Sequence, residues 1–135
     1  MKIAVRYYTR SGNTERLAAA AAQAVKAEAK DVSVPLTEKA DILILGCSYY
    51  GFDIDESVKN FIAKNKDFIG KIVCIGTSAM MRSMKKPVAK IAEPLGIAVS
   101  DEEFHCRGSF GPLHKGRPDA DDLSRAADFV RKITE

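Results

Sequence analysis

Three short runs, "IAVRYY" (3–8), "DILILG" (41–46) and "KIVCIG" (71–76), constrain the fold of this chain more than any other feature. Each is a nearly continuous stretch of branched apolar side chains, which predicts strands covered on both faces, as in a parallel sheet. Helical patterns lie between them. Leu17, Ala20, Ala21, Ala24 and Val25 form one stripe over 14–29, and Val58, Phe61 and Ile62 repeat at helical spacing over 55–66, with Asp55 as N-cap or first-turn residue. A further helix is expected over 84–95 with Pro87 in its first turn, followed by a strand from "GIAVSDEEF" (96–104). The last helix starts near "PDADDL" (118–123), where acidic residues suit a helix N-terminus, and turns Leu123, Ala126, Ala127 and Val130 inward. This alternation predicts a three-layer α/β/α sandwich with right-handed crossovers. At 135 residues the chain reads as one domain, 1–135.

One segment fits less easily. "DVSVPL" (31–36) reads as a strand, yet only "TEKA" separates it from "DILILG", whereas a parallel crossover needs a dozen or more residues. The second crossover helix is therefore expected to be absent or cut to a single turn.

Charge and cysteine usage exclude several function classes. The net charge is +3, but Lys and Arg are scattered, and the densest cluster is "MMRSMKK" (80–86). That pattern reads as a solvated face, and with no basic stripe or base-stacking aromatics it argues against nucleic acid. The three cysteines, Cys47, Cys74 and Cys106, are odd in number and never spaced CxxC, which points to reduced thiols in a cytoplasm. Met1 runs directly into the first strand without a signal-peptide pattern, and no apolar run reaches the length of a membrane span. A soluble cytoplasmic protein without a membrane partner is expected.

The first strand feeds "TRSGNT" (9–14), which opens the first helix. In an open parallel sheet, ligands bind outside the carboxyl ends of the strands. A tight turn into a helix aims backbone N–H groups at one point, and the helix dipole adds partial positive charge there. Thr9, Ser11 and Thr14 bring hydroxyls, Asn13 an amide, and Gly12 permits positive φ or close approach. Such a loop suits a phosphate, although the same residues could simply form a turn and cap the helix. The loop lacks the lysine of G-x-x-x-x-G-K-[ST] and the glycine spacing of G-x-G-x-x-G, which disfavours a nucleoside triphosphatase or a dinucleotide-dependent dehydrogenase.

Thr9-Arg10-Ser11-Gly12-Asn13-Thr14 resembles the phosphate loop of flavodoxins, T/S-x-T/S-G-N-T, at every specified position. "ILGCSYYG" (44–51) resembles that family's second loop, and "IGTSAMM" (75–81) takes the place of the third. "FHCRGSF" (104–110) and "GRPDADDLSRAADFV" (116–130) resemble the tail of short bacterial flavodoxin-like proteins, so the likeness spans nearly the whole chain. The resemblance implies a five-stranded parallel sheet of order 2-1-3-4-5 and a non-covalently bound FMN. Its 5′-phosphate would lie on Thr9, Arg10, Ser11, Gly12, Asn13 and Thr14, and its ring between the second and third loops. The residues implied there are Cys47, Ser48, Tyr49, Tyr50 and Gly51 in the second loop, with Thr77, Ser78, Ala79, Met80 and Met81 in the third. Tyr49, Tyr50, Phe52, Met80 and Met81 offer the apolar or aromatic walls that a flat ring needs. Main-chain groups of 47–51 and 77–80 could meet the pyrimidine edge and the N5 region.

The chain also departs from the pattern. Ser48 stands where the second loop commonly has proline, Met80 and Met81 stand where an aromatic residue is usual, and there is no tryptophan. Arg10 could favour an anionic reduced flavin or point to solvent. The net positive charge differs from the acidic surface with which flavodoxins meet basic partners.

Other candidates are weaker. Cys47 reads as a small buried residue rather than a redox thiol. Cys74 and Arg82 are too far apart for a C-x5-R phosphatase loop, and His105, Cys106 and His114 make a thin metal set. Asp53 and Asp55 lack the partner acids after strand one that a receiver pocket requires, since Arg6, Tyr7 and Tyr8 stand there. The expectation is an FMN-binding electron-transfer protein, monomeric or homodimeric, working with redox partner proteins and using no general acid or base of its own. Two alternatives remain: an FMN-dependent NAD(P)H:quinone-type oxidoreductase, and a flavodoxin-fold binding or regulatory module that has lost FMN.

Overall fold

The computed structural model describes residues 1–48, 53–77, 83–108 and 116–135. The three apolar runs become the centre of a parallel sheet: β1 (Ile3–Tyr7), β3 (Ala40–Ser48) and β4 (Ile69–Thr77), with Val5 beside Ile44 and Ile44 beside Val73. Alternate side chains build two cores. Leu43, Leu45 and Ile72 pack against Val58, Phe61 and Ile62 of α2 (Glu56–Lys64) and Val88 of α3 (Lys85–Ala92). Val5, Ile42, Ile44, Val73 and Ile75 pack against Leu17 and Ala21 of α1 (Asn13–Ala24) and Ala126 and Val130 of α4 (Ala120–Ile133). With β2 (Ala29–Asp31) and β5 (Ala98–Val99) at the edges, the strand order is β2-β1-β3-β4-β5, giving the expected three-layer α/β/α sandwich. Among the described residues no helix is long and apolar enough to cross a membrane.

The edges differ from the sequence reading. The first helix stops at Ala24 rather than running to 29, because Lys26 takes a left-handed φ of 57°. The Ala27 and Lys26 amides then turn back to the carbonyls of Ala22 and Gln23, which closes the helix end. That stop frees Ala29–Asp31 to pair with β1 as β2, so the edge strand overlaps "DVSVPL" only at Asp31 instead of coinciding with it. Asp31 starts a turn in which its carboxylate accepts the Ser33 amide at 2.8 Å.

Among the described residues no helix lies between β2 and β3, as the short spacing predicts. Two buried polar side chains hold the 32–39 segment in place of that helix. Arg6, on β1, donates to the carbonyls of Val34 (2.9 Å) and Pro35 (3.2 Å), and Asn65 accepts the Leu36 amide at 3.0 Å. An open cavity of about 450 Å³ remains at this edge, lined in part by Lys2, Arg6, Lys30 and Lys39.

The fifth sheet position is filled by two short strands rather than by one. β5 (Ala98–Val99) pairs with Lys71 and Ile72, and β6 (Phe104–Cys106) pairs with Ile75, Gly76 and Thr77. Four residues separate β5 from β6, whereas only Val73 and Cys74 separate their partners on β4. The surplus cannot enter the ladder and loops out. The expected 84–95 helix is likewise shorter: α3 ends at Ala92 and a single 3-10 turn, Glu93–Leu95, follows.

Candidate functional site

The carboxyl ends of β1, β3 and β4 converge on the start of α1. Thr9 Oγ1 accepts the Gly12 amide at 2.8 Å and folds residues 9–12 into a tight turn. Gly12 then takes φ 89°, a left-handed conformation that costs a side-chain-bearing residue about 1–2 kcal/mol. Gly12 is the N-cap of α1, so the cap residue itself brings no side-chain acceptor to this helix. Its first-turn amides carry the positive end of the helix dipole. Ser11 is exposed at the mouth of the turn, and Asn13 is buried at its base.

Below the turn, three hydroxyls form a closed triangle. Thr14 Oγ1 lies 2.8 Å from Ser48 Oγ and 2.9 Å from Thr77 Oγ1, and the last two are 3.0 Å apart. All three residues are buried. Ser48, at the position where proline is common, thus ties the first turn of α1 to the ends of β3 and β4. Gly108 closes the other side: a Cβ there would fall 3.0 Å from Asn13 Nδ2 and 3.1 Å from Thr77 Cβ. The chain leaving β6 therefore lies directly on the turn.

Arg10 is not simply turned to solvent. Its Nη2 meets Asp55 Oδ1 at 3.2 Å, linking the turn to the N-terminus of α2. Asp55 caps that helix by accepting the amide (3.0 Å) and hydroxyl (2.6 Å) of Ser57, as expected for an N-cap. These bonds, with Arg10 adding to them, hold its carboxyl below the usual range. Asp53 pairs with Lys59 at 2.6 Å, so the two acids are not gathered into one acidic pocket.

The cysteines are unreactive by environment. Burial, with the Glu103 charge adding to it, pushes the Cys47 thiol up to about 12. Burial also raises Cys74 well above its ordinary value and Cys106 to about 11. Thiols held protonated in this way are poor nucleophiles. The candidate metal residues His105 and Cys106 are neighbours on β6 and so point to opposite faces, Cys106 into the α1/α4 core.

Of the sequence candidates, Thr9, Arg10, Ser11, Gly12, Asn13, Thr14, Cys47, Ser48 and Thr77 gather at this end of the sheet. Tyr49, Tyr50, Gly51, Ser78, Ala79, Met80 and Met81 lie outside the described residues, as do Phe52, Arg82 and His114. Sequence reading missed Gly108, whose only signal was its place in "FHCRGSF". It also missed the pairing of Arg117 with Asp122. Asp122 Oδ1 accepts from Arg117 at 2.8 Å and from Arg125 at 3.0 Å, and Asp122 and Asp119 complete a reciprocal capping box at the start of α4. The spacing Arg117–Asp119–Asp122 contained that signal.

No protein-family model matches the chain, and no curated protein does. Solved structures do. An archaeal flavodoxin superposes with a TM-score of 0.75 at 18% identity, covering 100% of both chains. Flavodoxin 1 from Bacillus cereus gives 0.70 at 22%, over 99% of this chain and 97% of its own. A flavoprotein in complex with FMN from Lactobacillus acidophilus gives 0.65 at 15%, over 78% of this chain and 92% of its own. With the strand order and these full-length superpositions together, the chain has the flavodoxin fold.

Proposed function

We propose that this chain binds one FMN non-covalently and carries electrons between redox partner proteins. The observation that carries the reading is the start of α1. A helix N-terminus at the carboxyl edge of the sheet has as its N-cap a glycine, which brings no capping side chain, with serine and threonine hydroxyls around it. That donor set fits a phosphate monoester, which needs several N–H and O–H donors and a positive dipole at one point. Ser48 and Thr77 stand in register, so β3 and β4 end side by side at the carboxyl edge of the sheet, where a ring held between two loops would begin.

When bound, the flavin supplies one- and two-electron chemistry. The chain's part is to hold the phosphate on residues 9–14, to keep Thr14 fixed through Ser48 and Thr77, and to position the second and third loops. No general acid or base is assigned.

The test is the absorption spectrum of the purified protein, followed by titration of the apoprotein with FMN and with riboflavin. Yellow colour with tight FMN binding and much weaker riboflavin binding is the expected result, since riboflavin lacks the phosphate. Equal affinity for both would remove the phosphate-loop role, and binding of neither would overturn the cofactor. Rapid reduction of the FMN form by NAD(P)H alone, without a reductase, would replace the carrier reading with that of an oxidoreductase.

A further inference from the structure

On the α2/α3 face, near the end of the sheet, two buried polar atoms face each other without a hydrogen bond. Glu103 Oε2 and His105 Nε2 are both closed to solvent and unsatisfied, and they stand 3.7 Å apart. That is too long for a hydrogen bond. Buried polar atoms almost always find a partner, so two facing orphans mark a place built for something small.

The other oxygen of Glu103 is already engaged. Ser83 Oγ donates to Oε1, and the same Ser83 oxygen accepts the Lys85 amide at 3.2 Å, in the first turn of α3. Lys85 Nζ in turn reaches Asp101 Oδ1 at 2.6 Å. The looped-out residues between β5 and β6 are thereby tied twice to the start of α3. His105 sits in register with Gly76, which brings no side chain beside it, and Met84 packs over that gap.

A neutral imidazole with a bare Nε2 would set a lone pair against a carboxylate oxygen. Protonation at Nε2 turns the same contact into a charge-assisted N–H···O bond. The neighbouring titratable groups leave this proton uncontested. Burial pushes the thiols of Cys47 on β3 and Cys74 on β4 upward, so both stay protonated. Lys85 on α3 is held cationic chiefly by its bond to Asp101, with Glu103 adding to the effect, and Asp101 is held ionised by Lys85.

We propose that Glu103 and His105 form a proton-binding site that couples pH to the N-terminus of α3 through Ser83. Uptake of one proton from solvent at His105 Nε2 draws the imidazolium onto Glu103 Oε2, while Oε1 keeps its bond to Ser83. The N–H bond formed at Nε2 is the only covalent change. Lowering the pH therefore fastens the fifth sheet position more firmly to α3.

Histidine is the side chain that changes charge between about pH 5 and 8. The test follows the FMN-free full chain across that range by NMR, reading the two histidine rings and the Ser83 amide. The H105Q spectrum identifies which ring belongs to His105. The expected result is that the Ser83 amide moves with the same midpoint as the His105 ring. In E103Q, which keeps the side-chain shape, that response should disappear, and the His105 titration curve should move. A Ser83 amide indifferent to the His105 titration overturns the proposal, as does an unchanged His105 curve in E103Q. The wild-type chain alone decides the first point, so a variant that fails to fold does not shelter the idea. No flavin is used, so a chain that binds none would sink the cofactor proposal and leave this result standing.

Discussion

Helices α1 and α4 pack side by side on one face of the sheet, yet their first turns are finished in opposite ways. At α4, Asp119 accepts the Asp122 amide, Asp122 accepts the Asp119 amide, and Arg117 and Arg125 neutralise the buried Asp122 carboxylate. The chain itself thus answers the amides of Asp119, Asp122 and Leu123. At α1 the cap is Gly12, with no side-chain acceptor, and the nearby hydroxyls bond to one another beneath the turn. Both ends carry the same dipole, so the difference lies in the side chains that surround it. One helix start is closed by its own carboxylates, and the other is the one to which the proposed function assigns a ligand.

The largest test of that contrast is Asp122→Ala. Removing the acceptor breaks the reciprocal cap and the bonds from Arg117 and Arg125, and should lower unfolding free energy by about 2 kcal/mol, read by urea denaturation. FMN affinity should change far less. A fall in affinity with unchanged stability would break the comparison. The pH profile sharpens the point. Hydrogen bonds from Arg117 first, and then from the Asp119 amide and Arg125, hold the Asp122 carboxyl well below its ordinary value of 3.8. Its folded value is therefore lower than its unfolded one, so its contribution is complete above about pH 4 and is lost as pH falls further. Acid unfolding of Asp122→Ala should be flatter below that pH than that of the wild type.

Gly12→Ala comes next. A Cβ there would meet nothing within 4 Å, so the cost is the left-handed φ alone, about 1–2 kcal/mol. Unlike Asp122→Ala, it should also weaken FMN at least tenfold in a fluorescence titration while leaving riboflavin unchanged. Asp119→Ala is the matching change at the other helix and should cost about 1 kcal/mol in thermal or urea unfolding, with FMN titration unaltered. Arg10→Ala should have the smallest effect. Its pair with Asp55 is half exposed, so stability should stay within about 0.5 kcal/mol by the same denaturation assay.

The contrast between the two helix starts was only half legible in the sequence. "TRSGNT" announced a loop with donors, but Asn13 and Ser11 looked equally able to cap the helix; only the fold put Gly12 at the N-cap and turned the Thr14 hydroxyl toward Ser48 and Thr77. "PDADDL" announced acids at a helix N-terminus and its spacing from Arg117 allowed the pairing, yet only the fold decided that Asp122, and not Asp119 or Asp121, would be the buried acid. The missing crossover helix was legible because four residues cannot span a parallel connection. What replaced it was not, since Arg6 and Asn65 reach the 32–39 segment from distant parts of the chain.

By itself the sequence determined the layer architecture, through uninterrupted apolar runs that can be buried only between two layers of helices, and the place of the candidate phosphate loop, through a local turn directly after the first of them. Tertiary structure alone decided where β2 begins, where the fifth strand breaks, and that Ser83, Glu103 and His105 meet. Those outcomes depend on register against a neighbouring strand and on side chains far apart in the chain, and neither quantity is written in any local stretch of residues.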